Sequence, residues 1–275
     1  MKILDLLIFR PIVRRFVSAL GAAALGALPG CGGEPLPDDP VPAANPILFV
    51  TQTPFHSTFD MLTGTFGNHK GGDSYAPRGG DLLISYPSGE LRNLTEEAGF
   101  GQKRGEEIAV REPSVHWDGD RALFSMVIGG TAKDDFTPVF WQIYEVTGLG
   151  EGQDVQIARV PNQPEGVNNV SPVYGTDGRI VFTTDRPRSG DMLHYPQLDE
   201  YESTETNTGL WSFDPAAPGG DVRLLSHVPS GAFSPKIALD GRVVYIRWDH
   251  LQADQQAHAD RTGEGSYGSF DYLSE

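Results

Sequence analysis

In the run "RWDHLQADQQAHADR", His250, Asp254 and His258 stand four residues apart. On a helix they share one face, placing two imidazoles and a carboxylate where they can ligate zinc or another divalent ion. Asp249 and Asp260 add further carboxylates nearby. The competing reading is a solvated capping helix, and an Asp-His pair at a strand end serves equally as a hydrogen-bonded structural pair. His69, in "TFGNHKGGD" with Asn68 and Asp73, lies in a Gly-flanked loop of the kind that projects over a ligand-binding face. Its plain alternative is a turn held by Asn and Gly. His69, His250, Asp254 and His258 are thus the candidate ligand or metal residues; no cofactor is assigned to this chain, and a divalent metal is the one these residues could take.

Other chemistry is thinner. His116 alternates with Trp117 beside an Asp-Gly turn, so one of the two is expected to face the core or a neighbouring sheet, and structure explains the pair adequately. The insert with His194, Asp199, Glu200 and Glu202 is acidic enough to attract Ca2+ but lacks the oxygen spacing of an EF-hand loop, and reads as a surface loop. No Gly-x-Ser-x-Gly, His-Glu-x-x-His, Ser-x-x-Lys or Walker loop occurs. The Gly-rich stretch around Ser74 is not followed by the helix that a phosphate cradle needs. No catalytic residue is assigned; enzyme status stays open, with a non-catalytic role favoured for this chain alone.

Cys31 is the only cysteine of the 275 residues. Intrachain disulfides, Cys-x-x-Cys zinc sites and Cys-x-x-Cys-His haem attachment are therefore excluded for the chain as given. Arg10, Arg14 and Arg15 precede an apolar run from Phe16 to Leu28 that ends in "LPGC", the pattern of a signal peptide over residues 1–30 with Cys31 as a lipobox cysteine. The run falls short of the roughly 20 residues that span a bilayer. With Cys31 as mature N-terminus, several acyl chains anchor the protein at roughly 0.8 kcal/mol per buried CH2. The expectation is an exported lipoprotein at the periplasmic or cell-surface side of a membrane, the outer membrane included. The formal charge of −16 disfavours nucleic acid and anionic headgroups, which require basic patches.

The elements that must position these residues repeat. "REPSVHWDGDRALFSM", "NNVSPVYGTDGRIVFTTDRP" and "GAFSPKIALDGRVVYIRWDH" each pair a Ser with a Pro, reach an Asp-Gly turn and continue as an alternating apolar strand. "WQIYEVT" and "VQIARVP" follow the first copy, and "GLWSFDP" and "VRLLSHVP" the second. Upstream, "ILFVTQ" precedes "DLLISYPSGELRNLT", a hairpin turning at Ser88-Gly89. Residues 31–45 are Pro, Gly and acid without periodicity, a flexible tether. No amphipathic helix of a dozen residues separates the strands, which disfavours βαβ architecture. Residues 46–275 therefore read as an all-β fold, a β-propeller of about three to four four-stranded antiparallel blades with long loop inserts, incomplete at the C-terminus because rings close with about four to eight blades.

The Ser-Pro to Asp-Gly-Arg pattern resembles the blade repeats of the periplasmic Tol-system propeller family. A wider likeness, carried by "PILFVTQ", "FGNH", "GGDLLISYPSGELRNLT", "WQIYEVTGLG", "VPNQPEGVNNVSPVYGTDGRIVFTTDRP", "LHYPQLDEYES", "SGAFSP" and "RWDHLQADQQAHADR", resembles the middle-domain family of the hydrazine synthase alpha subunit. That resemblance implies a propeller fold and an extracytoplasmic setting. Haem chemistry joining nitric oxide and ammonia goes with the family's name, but this chain lacks the haem-binding cysteines. The leading expectation is a lipid-anchored binding or scaffold module for an unknown protein or small ligand, without nucleic acid, as a subunit or fragment of a larger assembly. The alternative is a component of a haem-dependent redox enzyme whose haem comes from sequence or partners outside this chain.

Overall fold

The computed structural model describes residues 44–53, 71–73, 76–131, 137–186, 209–226 and 231–248. Their regular secondary structure is almost all β. Strands β1 (Ile47–Val50), β2 (Leu82–Ser85) and β3 (Leu91–Asn93) form an antiparallel sheet in sequence order. Strands β4 (Ile108–Val115), β5 (Arg121–Ile128), β6 (Gln142–Thr147) and β7 (Gln156–Arg159) form a second, and β8 (Asn169–Tyr174), β9 (Ile180–Thr184), β10 (Gly209–Phe213) and β11 (Arg223–Leu224) a third. A fourth contains β12 (Gly231–Ile237) and β13 (Val243–Trp248). All strand pairs are antiparallel. Among the described residues helix is confined to the short α1 (Leu94–Glu97) and a 3-10 turn, Pro218–Asp221. The Oδ1 of Asn93 accepts from the Glu96 amide at 3.1 Å and so caps α1. Among the described residues no helix is long and apolar enough to cross a membrane.

Each repeat becomes the first hairpin of its sheet, and the three hairpins share their backbone chemistry. In the turns, Asp118, Asp177 and Asp240 each accept, through Oδ1, the amide two residues on, at 3.0 to 3.2 Å. The glycines that follow, Gly119, Gly178 and Gly241, have φ of 80°, 84° and 82°, a region that side chains with a Cβ seldom occupy. Asp120 is an extra residue in the first turn, so Arg121 takes the place held by Arg179 and Arg242 in the others.

The repeated proline marks a second device. Glu112, Ser171 and Ser234, each six residues before its Asp, have φ of 55°, 53° and 49°. Each precedes a proline, and each lies where the strand register slips, between Arg111 and Ser114, Val170 and Val173, and Phe233 and Lys236. A left-handed non-glycine residue inside a strand is the signature of a bulge, which bends the strand and tightens its twist. Glu112, not Ser114, therefore stands in the first copy where the serines stand in the others.

Packing runs sheet to sheet in chain order. Leu82, Ile84 and Leu94 of the first sheet region meet Val110, Phe124 and Met126 of the second. Leu123 and Ile143, on the opposite face of the second sheet, meet Phe182, Trp211 and Phe213 of the third. Val173, Val181 and Leu210 of the third meet Ala232 of the fourth. The alternation of side chains along β5 makes this possible, because Leu123 goes one way and Phe124 the other. The leading strands also neighbour one another, β1 beside β4, β4 beside β8 and β8 beside β12. Burying each of these large apolar side chains contributes about 1.5–3 kcal/mol.

Polar clamps fix the sheets' relative placement. Arg92 of β3 is buried, and its guanidinium donates to Glu97, to the Tyr86 hydroxyl, and to the carbonyls of Gly150 (3.0 Å) and Gln153 (2.8 Å) in the β6–β7 turn. Tyr86 itself donates to the Leu149 carbonyl at 2.8 Å. Between the second and third sheets, Asn168 Oδ1 accepts from the Trp141 amide at 3.0 Å, while its Nδ2 donates to Asp185 at 2.6 Å. Burial pushes the Asp185 carboxyl up from its ordinary value, more than the Asn168 hydrogen bonds pull it down.

Candidate functional site

Where the first and second Asp-Gly turns approach, the sheets leave a cleft of about 290 Å3. His116 directly follows β4, Trp117 occupies the turn, Arg121 starts β5 and Glu145 lies on β6. Across from them are Tyr174 at the end of β8 and Pro215 beyond β10. Gly175 and Gly178 present no side chain to fill the opening.

The polar groups form a continuous chain. His116 Nδ1 lies 2.6 Å from Asp118 Oδ2, and Arg121 Nη2 lies 3.1 Å from His116 Nε2. A guanidinium can only donate, so His116 Nε2 accepts from Arg121, while Nδ1 faces both the Asp118 carboxylate and the Asp118 amide, the latter at 3.3 Å. Arg121 also approaches Glu145 Oε1 at 3.9 Å, and the Tyr174 hydroxyl donates to that oxygen at 2.8 Å. The Arg121 guanidinium lies over the Tyr174 ring at 5.4 Å, and His116 meets that ring edge-on at 4.6 Å. A hydrogen bond from the Asp120 amide, with His116 and Arg121 close by, holds the Asp118 carboxyl below its ordinary range. Burial, reinforced by the bond to Glu145, pushes the Tyr174 phenol well up.

Tyr174 stays a neutral donor, and both nitrogens of His116 are engaged, so neither is placed as a general base. Trp117 is the exposed element. It is 65% exposed, with one side against His116 at a centroid distance of 4.1 Å.

Sequence reasoning recognised His116 and Trp117 as a pair with one partner turned inward, and His116, half-buried against the Tyr174 ring, is the inward one. It did not assemble Arg121, Glu145 and Tyr174 around them, because those residues come from three strands separated by up to 53 positions. A usable signal existed in the repeats. The two residues before the turn Asp are Gly175-Thr176 and Ala238-Leu239 in two copies but His116-Trp117 in the first. The lipidation candidate Cys31 and the candidates His69, His250, Asp254 and His258 lie outside the described residues, as does the acidic insert. Among the described residues no three His, Cys, Asp or Glu side chains group to hold a metal ion.

No protein-family model and no curated protein matches the chain. Among solved structures, Kuenenia stuttgartiensis hydrazine synthase is similar over 73% of this chain and 27% of that one, at 16% identity and a TM-score of 0.47. The protein thus spans about a quarter of that chain, and at this level of similarity the comparison assigns neither activity nor ligand.

Proposed function

We propose that the protein is an exported, lipid-anchored binding module of β-propeller type, tethered through Cys31 and related to the hydrazine synthase alpha middle-domain family, that holds a ligand in the cleft beneath Trp117. The propeller reading is supported by the succession of face-packed sheets, three of the four opened by the same bulged hairpin, whose leading strands lie side by side. The observation that carries the binding role is the divergence of one turn from its copies. Where the repeat elsewhere places Gly-Thr or Ala-Leu, it places His-Trp above a cleft lined by paired charges.

The test is in-cell photo-crosslinking. A photoreactive amino acid at position 117 is expected to capture one discrete envelope component, while the same residue at Leu91, 58% exposed on the first sheet, captures none. Equal capture at both positions, or none at either, sinks the reading. A Soret band in the protein purified from its own membranes would replace it with the haem-dependent alternative.

A further inference from the structure

We infer that the ligand of this cleft is a neutral saccharide, stacked by one ring face on Trp117 and held at its hydroxyls by Arg121 and Glu145; the inference rests on the binding role proposed above. Three observations carry it. The first is the exposed indole. Its 65% exposure sits at the lip of a concave site, and a pyranose ring offers a flat patch of C–H bonds that matches an aromatic face, a contact not open to a small inorganic ion.

The second is charge balance. Arg121 lies within ion-pair distance of Asp118, at 3.6 Å, and of Glu145, at 3.9 Å. Arg159, which also lines the cleft, lies 3.2 Å from Glu165. A free anion would have to compete with carboxylates already on both guanidiniums, and a free cation with guanidiniums already on the carboxylates. A neutral polyol needs neither exchange.

The third is unspent hydrogen-bonding capacity. The Arg121 side chain is 41% exposed and keeps terminal N–H groups beyond the one directed at His116 Nε2. Glu145 receives the Tyr174 hydroxyl at Oε1, which leaves Oε2 for a ligand. A planar donor fork beside a carboxylate acceptor, both held by neighbours, suits adjacent hydroxyls, each of which donates and accepts. The volume of about 290 Å3 has room for one or two sugar rings, with apolar walls from Pro161 and Pro215.

The test is calorimetric titration of the purified full chain with neutral trisaccharides of glucose, galactose, mannose and N-acetylglucosamine, with sulfated and uronic-acid trisaccharides alongside. At least one neutral trisaccharide is expected to bind saturably, and Trp117→Ala to weaken it at least about tenfold. Trp117→Phe keeps a ring and is expected to recover most of that loss. Glu145→Gln, which retains an acceptor for Tyr174, is expected to weaken binding several-fold. Trp117 is a turn residue with most of its surface in water, so unchanged circular dichroism separates lost binding from lost fold. Preference for the charged sugars, no neutral binding up to 10-fold molar excess at millimolar protein, or binding indifferent to Trp117→Ala each overturns the inference. If crosslinking at position 117 then yields a protein adduct, the binding role stands and only the ligand class has failed.

Discussion

Ser171 offers a test in which two structural readings predict opposite signs. It is 6% exposed, with φ of 53°, directly before Pro172. For an L-residue the left-handed region costs roughly 1–2 kcal/mol, and a following proline further disfavours helical backbone angles. Ser171→Gly removes that penalty and returns about 0.5–1 kcal/mol through the greater freedom of the unfolded chain, so it is expected to be neutral or stabilising by up to about 1 kcal/mol. Ser171→Ala retains the penalty and should fall below glycine by a similar amount. Ser171→Val places a β-branched side chain in a region it almost never adopts and should lose at least about 2 kcal/mol. In a regular strand the order inverts, with valine best and glycine worst, over a span of about 1 kcal/mol. Urea midpoints at constant m distinguish the two, since 1 kcal/mol is roughly 0.3–1 M at the usual slopes. Ser234 should repeat the series, whereas Ser114, one residue beyond its proline, should accept valine. A rank order of valine, alanine, glycine at position 171 would refute the bulge and with it the structural equivalence of the three repeats.

Other outcomes follow from single sites. Arg92→Met should cost about 1.5–3 kcal/mol in chemical denaturation, because the partly exposed Glu97 carboxylate and the Gly150 and Gln153 carbonyls lose their charged donor. Arg92→Lys should recover only a minor part, lacking the fork. Phe182→Ala, in the wholly buried edge-to-face pair with Phe213 at 5.2 Å, should cost about 3–5 kcal/mol by the same measurement. Asp185 has a folded-state carboxyl raised by burial, so the folded protein holds that proton more tightly than the unfolded chain. Its contribution is therefore complete below the ordinary carboxylate range and is lost as pH rises through the raised value. Subtracting the melting-temperature profile of Asp185→Asn from that of the wild type should leave a difference that falls with rising pH, and a difference rising with pH contradicts the burial argument. Gly148→Ala should destabilise strongly in a thermal melt, since Gly148 has φ of 78° and an added Cβ would run into the Asp154 carbonyl.

Local chemistry made much of the fold legible in advance. Asp-Gly turns, alternating apolar strands and the Ser-Pro signature act within ten residues of themselves, so the hairpins Val110 to Met126, Val170 to Thr184 and Phe233 to Trp248 were readable from the string of residues. The four-strand order of the second and third sheets followed from the same repetition. Tertiary structure decided the rest. Whether the residue before each proline is extended or left-handed depends on the partner strand against which the register slips, and that partner is not written in the tripeptide. The cleft depended on which face of each strand met the next sheet. Packing of Leu123 and Ile143 against Phe182 carries Tyr174 to His116 and Arg121, joining side chains from separate strands into one network. Composition could not foresee that meeting, because burial of the whole apolar interface, and no pairwise attraction among those polar residues, is what brings the strands together.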